Sequence, residues 1–228
     1  MLEYLRLSHI LDSSTPSYGN RDKFIVRNNT SIASGSSANS STWIFTNNHI
    51  GTHIDVPYHF SDLGIKTFEI PISQYFFKRT HLVDVHVEDC HLIDAVDIQG
   101  FNNIPDDVEL LLIRTGYEKF RDSNRYWESG PGISSQLPTF LRLMYPNLRC
   151  LGFDFISISS WGNRGDGKLS HQELLSPTNN LKPIWAIEDM RLSGIKGYIT
   201  SVVVAPIFVS DGNGAPVTVF AECENNEK

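Results

Sequence analysis

Val108 to Arg114 reads Val-Glu-Leu-Leu-Leu-Ile-Arg. Ile133 to Tyr145 reads Ile-Ser-Ser-Gln-Leu-Pro-Thr-Phe-Leu-Arg-Leu-Met-Tyr, and Leu148 to Ile158 reads Leu-Arg-Cys-Leu-Gly-Phe-Asp-Phe-Ile-Ser-Ile. The first and third runs are almost continuously apolar, which suits strands covered on both faces. In the middle run Ser134 and Ser135 offer N-caps, Leu137, Leu141 and Met144 recur at helical spacing, and Pro146 follows as a stop. Strand, helix and strand in that order predict a βαβ unit. Outward from it, Thr80 to Val87 alternates as a strand. Tyr198 to Val209 is strand-like, and Asp211-Gly212-Asn213-Gly214 is a turn ahead of Val217 to Ala221. Strands outnumber helices and the two are mixed in order. The expectation is an α/β fold with a mixed β-sheet, as a single domain over residues 1–228.

The chain has 228 residues, 40% hydrophobic and 20% charged, with a formal net charge of −7. That length buries a continuous core without disulfide staples. The acidic balance argues against nucleic-acid or anionic-membrane partners, which would need a basic face. No run of apolar residues is long enough to cross a bilayer, and Met1 to Ile10 lacks the apolar stretch of a secretory signal. Three widely spaced cysteines, Cys90, Cys150 and Cys223, do not make a disulfide framework. A cytoplasmic location follows as the expectation. The polar segment Asn28 to Thr42, between two apolar stretches, reads as a pair of partly exposed strands or a long surface loop.

The chemistry concentrates in Asn47 to Phe60, Asn-Asn-His-Ile-Gly-Thr-His-Ile-Asp-Val-Pro-Tyr-His-Phe. His49, His53, Asp55 and His59 fall on odd positions, and Ile50, Ile54, Val56, Tyr58 and Phe60 on even ones. An extended chain puts these two sets on opposite faces. Gly51, the β-branched residues and Pro57 oppose a helix. In a straight strand His49 and His53 would stand about 13 Å apart. Gly51 permits the bend that brings His49 back towards His53 and Asp55, and Pro57 sets a second change of direction before His59. Imidazoles and a carboxylate converging on one point suit Zn²⁺, Mn²⁺ or Fe²⁺. Three histidines and an aspartate sharing one parity, in a chain of eight histidines, favour a metal site over a solvated polar face.

His49-Ile50-Gly51-Thr52-His53-Ile54-Asp55-Val56-Pro57-Tyr58-His59 resembles the H-x-G-T-H-x-D-x-P-x-H signature of the cyclase family of metal-dependent hydrolases, which includes bacterial kynurenine formamidase and isatin hydrolase. Leu111 to Gly116, Tyr126 to Ser134, Leu151 to Asp154 and Asp211 to Val217 are similar to further segments of that family. The resemblance implies a swivelling β/β/α fold and a homo-oligomer, dimer or tetramer, whose subunits help to line each other's pockets. It also implies that His49, His53 and Asp55 bind one metal, that Asp55 bridges to a second, and that His59 gives and takes the proton. By the same resemblance His171 holds the second ion and Glu188 completes the bridge, with Glu173 as the competing carboxylate. The spacing from His171 to Glu188, through Ser176 to Pro183, is longer than in the family. One or two divalent ions per subunit are expected, Zn²⁺ or Mn²⁺.

Hydrolysis of a carbon–nitrogen bond in a small amide by a metal-activated water follows from that resemblance, with an aryl formamide such as N-formylkynurenine as substrate. The alternatives are a cyclic amide or lactam, as for isatin hydrolase, or a metal-binding member without turnover. Family members acting on formylkynurenine place a tryptophan within Thr15 to Asn20, where this chain has Tyr18 as a candidate aromatic wall. His81, His86 and His91, five apart, match neither the strand nor the helical period and read as surface. Trp43, Trp127, Trp161 and Trp185 read as core or interface. Asn163 to Lys168 reads as a flexible glycine-rich loop beside the pocket.

Overall fold

The computed structural model describes residues 1–99, 104–176 and 181–224. Its strands are β1 Leu2–Arg6, β2 Phe24–Thr30, β3 Ser40–Phe45, β4 His53–Asp55, β5 Phe76–Phe77, β6 Thr80–Asp84 and β7 Leu92–Ile93. They continue with β8 Leu110–Arg114, β9 Gly132–Ile133, β10 Cys150–Phe153, β11 Trp185–Glu188, β12 Tyr198–Pro206 and β13 Gly214–Glu224. The α-helices are α1 Ala95–Gln99, α2 Arg125–Glu128, α3 Leu137–Met144 and α4 Arg164–Leu175. The main sheet runs β5-β12-β13-β4-β11-β10-β8-β6, with β1 added on β13. Strands β6, β8, β10 and β11 are parallel. Strand β4 lies antiparallel between β11 and β13, so it joins the parallel half to an antiparallel half.

The apolar run at β8 is explained by two cores. Leu111 and Ile113 enter one core with Leu137, Leu141, Leu174 and Leu175 of the helices. Leu110 and Leu112 enter the other with Val202, Val204 and Val219 of the antiparallel strands. Period-two alternation with both faces buried needs an unbroken apolar sequence. The helices cover one face of the parallel half, the antiparallel half of the same sheet covers the other, and the α/β fold with a mixed sheet is as expected. The βαβ unit is β8, α3 and β10, with Leu111 opposite Leu151 in the parallel register. Residues 24–45 form the polar hairpin β2–β3.

Local details differ from the sequence reading. Helix α3 is capped at Gln136 without a side-chain bond. Ser135 instead donates its hydroxyl to Asp166 Oδ1 at 2.7 Å, and Ser134 Oγ accepts the Gln136 N–H at 3.2 Å. Residues 164–168 are not a loop but the first turns of α4. Gly167 packs so tightly on Ser159 that a Cβ would overlap its side chain, whereas a Cβ at Gly165 would meet open space. Strand β10 stops at Phe153, where the Asp154 carboxylate accepts the N–H groups of Thr115 and Gly116 at 2.8 and 2.7 Å and ties two strand ends together. Trp185 is buried, Trp127 and Trp161 meet edge to face at 5.3 Å, and Trp43 is exposed on the hairpin. His86 is exposed and His91 pairs with Asp97 at 3.0 Å. Among the described residues neither they nor His81 join a metal-capable group. No helix among those residues is long and apolar enough to cross a membrane.

Candidate metal centre

The Asn47–Phe60 segment builds one wall of a cavity of about 570 Å³, a size usual for small-molecule sites. Gly51 takes φ +64°, and the chain bends there before entering β4. His53 and Asp55 then face the cavity while Ile54 and Val56 enter the second core, as their parity requires. Pro57 opens a 3₁₀ turn, Pro57–His59, which lifts His59 out of the strand line and over the site. Across the sheet His53 is the register partner of Glu188, and Gly214 that of Asp55. A Cβ at Gly214 would lie 2.6 Å from His49 Cε1, so glycine is what lets that ring sit there.

His49, His53, Asp55, His59, His171 and Glu188 all line this cavity, as does Tyr18. Glu173 does not; its backbone carbonyl accepts from Arg142 on another face of α4. The spacer from Ser176 to Pro183 lies partly outside the described residues. His53 Nδ1 is 2.8 Å from the Gly51 carbonyl and His171 Nδ1 is 2.8 Å from the Gly167 carbonyl. A carbonyl only accepts, so each Nδ1 carries a proton and each Nε2 is left to face the site. His53 Nε2 is 3.5 Å from Asp55 Oδ1 and 3.3 Å from Glu188 Oε2. His171 Nε2 is 3.8 Å from Asp55 Oδ2 and 3.8 Å from Glu188 Oε1. Nitrogen lone pairs and buried carboxylate oxygens thus aim at common points, an arrangement that needs a proton or a cation between them.

The proton alternative is visible in the electrostatics. Burial alone would lower the His53 pKa, but the Glu188 hydrogen bond and the Asp55 and Glu188 charges outweigh it and raise it to about 9. Burial would raise Asp55, but His49 above all, then His53 and His59, hold its carboxyl well below the usual range. His59 goes the other way: burial, with repulsion from His49 and His171, lowers it to about 4 against the pull of Asp55. Nitrogen and oxygen donors of this kind fit a borderline divalent cation. His53, Asp55 and Glu188 each bring a donor atom within 4.8 Å of the others, and so do His49, Asp55 and His59. In these groupings His53 falls with Glu188 and His49 with His59, while Asp55 belongs to both.

Several residues of the site were not foreseen. Asn213 Oδ1 lies 3.0 Å from His49 Nε2 and accepts from Asn48 Nδ2 at 2.6 Å, while His49 Nδ1 meets Asp55 Oδ1 at 2.6 Å. The Asp211 to Gly214 stretch had signalled only a turn. Ile158 donates its N–H to Glu188 Oε1 at 2.7 Å. Buried Asp189, at φ +52°, takes a two-pronged contact from Arg121 at 2.8 and 2.7 Å and the Tyr126 hydroxyl at 2.6 Å. Its carbonyl accepts from Thr52 at 2.5 Å, tying the residue after Glu188 to the residue before His53. Arg21, Arg164 and Lys168 also line the cavity. The i, i+4, i+7 spacing of Arg164, Lys168 and His171 would have signalled the last two, had the stretch been read as helical.

Residues 5–160 match the model of the family described as "Putative cyclase". The chain belongs to this family. Among its relatives is the kynurenine formamidase of Bacillus anthracis, 25% identical over 169 residues, covering 74% of this chain and 73% of that protein. The fold is that of isatin hydrolase A from Labrenzia aggregata, with a TM-score of 0.78 at 18% identity over 98% of this chain and 94% of that one. A predicted metal-dependent hydrolase from Bacillus stearothermophilus superposes with a TM-score of 0.75 at 22% identity, over 97% and 98% of the two chains. The chain thus stands among hydrolases in family and in fold.

Proposed function

We propose that the chain is a metal-dependent hydrolase that cleaves the carbon–nitrogen bond of a small amide, with an aryl formamide such as N-formylkynurenine as its substrate. The observation that carries this reading is the convergence of His53 Nε2 and His171 Nε2 on the carboxylates of Asp55 and Glu188, each histidine locked by a backbone carbonyl. Kinship with kynurenine formamidases supports the bond type. His49, His53, Asp55, His171 and Glu188 would hold one or two ions, Zn²⁺ or Mn²⁺. Such an ion supplies Lewis acidity and brings the ionisation of water within reach of neutral pH.

The residues around it do the rest. His59 is stacked on His49 at 4.0 Å and meets Phe60 edge to face at 4.8 Å, which fixes its ring over the site. Its lowered pKa leaves it neutral at pH 7, so it can take a proton from the attacking water and pass it to the departing nitrogen. Water adds to the carbonyl carbon, the carbon–nitrogen bond breaks, and formate and the aryl amine leave. Tyr18, held edge to face on Trp161 at 5.2 Å, provides an aromatic wall from the segment where the formamidase family has a tryptophan. The same proposal includes a homo-oligomer, a cytoplasmic location consistent with three free cysteines, and no nucleic-acid or membrane partner.

The test is elemental analysis of protein purified without added metal, joined to assays of N-formylkynurenine and of isatin with Zn²⁺ and with Mn²⁺. Formamide cleavage in proportion to bound metal is expected. Turnover of isatin alone would transfer the chain to lactam hydrolysis, and bound metal without turnover of either would make it a binding protein.

A further inference from the structure

We propose that Arg164 and Lys168, with Arg21 across the cavity, receive the carboxylate of the substrate and select for it. This rests on the hydrolytic reading above and specifies the substrate class that the site takes. Helix α4 presents Arg164, Lys168 and His171 at i, i+4 and i+7, so one helical stripe carries two cations from the cavity rim down to the proposed metal ligand. Arg21 reaches the same cavity from the segment that follows Tyr18. Three cations thus line one cavity of a chain whose formal net charge is −7.

The acids in the cavity wall do not neutralise them. Asp55 and Glu188 face the imidazoles at the base, and Asp22 accepts from Asn47 Nδ2 at 3.1 Å. Among the described residues no carboxylate forms an ion pair with Arg21, Arg164 or Lys168, whereas Arg79 has two and Arg114, Arg121, Arg125 and Arg149 have one each. Arg164 is nonetheless held in place. Its guanidinium lies 4.9 Å from the centre of the Trp161 ring, on which Tyr18 packs edge to face at 5.2 Å. That leaves a guanidinium beside the aromatic wall, a group that suits the carboxylate of an aromatic substrate. All three cations are exposed. They share one cavity with the ligand cluster, which favours an anion whose amide end lies at the metal and whose carboxylate lies at the rim.

Two readouts separate this inference from the hydrolytic reading. Binding of 2-aminobenzoate and of 2-aminobenzamide to metal-free protein is followed by their own fluorescence, at low and high salt. The acid should bind about tenfold more tightly, as a charge-assisted hydrogen bond allows, and the gap should narrow with salt. In an Arg164→Gln/Lys168→Gln variant the gap should fall towards parity, whereas Arg191→Gln/Lys196→Gln, the same charge change outside the cavity, should keep it. Failure of the acid to bind, equal affinity in the parent, or an undiminished gap in the cavity variant would each overturn the proposal. The metal-loaded enzyme is then assayed on 2-formamidobenzoate and on formanilide. Preference for the former should appear as a higher kcat/KM and shrink in the cavity variant. Equal turnover of both would sink the charge reading and leave hydrolysis standing, while turnover of neither, with the binding preference intact, would sink hydrolysis alone.

Discussion

Without a cation between them, the His53 ring and the carboxylates of Asp55 and Glu188 compensate one another by holding a proton, and this sets how metal uptake depends on pH. The His53 pKa is raised from 6.5 to about 9, so in the metal-free protein the imidazole is charged at neutral pH. Metal must displace that proton, and affinity should rise about tenfold per pH unit between pH 7 and 9. Competition with a chromophoric chelator across that range measures it, and a flat profile would contradict the assignment. The linkage runs the same way for folding. A raised histidine pKa stabilises the metal-free protein fully below pH 6.5, and the contribution is lost as pH rises through 9. At the same scale His59 and Asp55 should separate. Asp55→Asn should lose metal and activity together. His59→Ala should keep its metal while turnover falls by about 10²- to 10⁴-fold. Loss of one metal equivalent in His59→Ala would instead make His59 a ligand, the role its place beside His49 and Asp55 also permits.

At the scale of elements, the site depends on how the ends of β4 and β11 are held. Gly51 stands at φ +64° two residues before β4, and a Cβ there would overlap Leu11 and crowd Thr15 at 3.2 Å. Gly51→Ala should cost about 1–2 kcal/mol for the left-handed backbone, with a further loss from the overlap, read as a fall in Tm. Arg121 acts from the other side. Its pair with Asp189 is buried, and Arg121→Met would leave that carboxylate without its counter-charge, held by the Tyr126 hydroxyl, at a cost of about 3–5 kcal/mol. Because Asp189 follows Glu188, this variant should also weaken metal binding, which a structural change far from the site would not do. How much of this was legible follows from sequence distance. Gly51 and Pro57 act on neighbours, so the bend at β4 and the turn to His59 could be read directly. The Asp189 network joins segments far apart in sequence, and no local pattern announces it.

At the scale of the molecule, four exposed apolar side chains share one groove beside the hairpin. Val26 and Trp43 of the hairpin, with Ile10 and Ile207, line a groove and are 45%, 66%, 63% and 49% exposed. Apolar surface on that scale suits association with a second copy. Sedimentation should give a dimer or tetramer, and Trp43→Glu should shift it towards monomer; a monomeric parent would refute the proposed assembly. The sequence by itself determined the βαβ core, the bent ligand segment and the family, because each rests on contacts or periodicities within a short run of chain. Alternation buries both faces of β8, glycine permits the turn at residue 51, and proline ends the strand at 57. Only the tertiary structure decided that Glu188 rather than Glu173 faces the site, since that choice depends on β11 lying in register with β4. It alone turned residues 164–168 into helix, through Gly167 packed on Ser159, and so brought Arg164 and Lys168 to the cavity. Packing between segments distant in sequence carries a free energy that no single segment contains, and the substrate-facing half of this site is made of such packing.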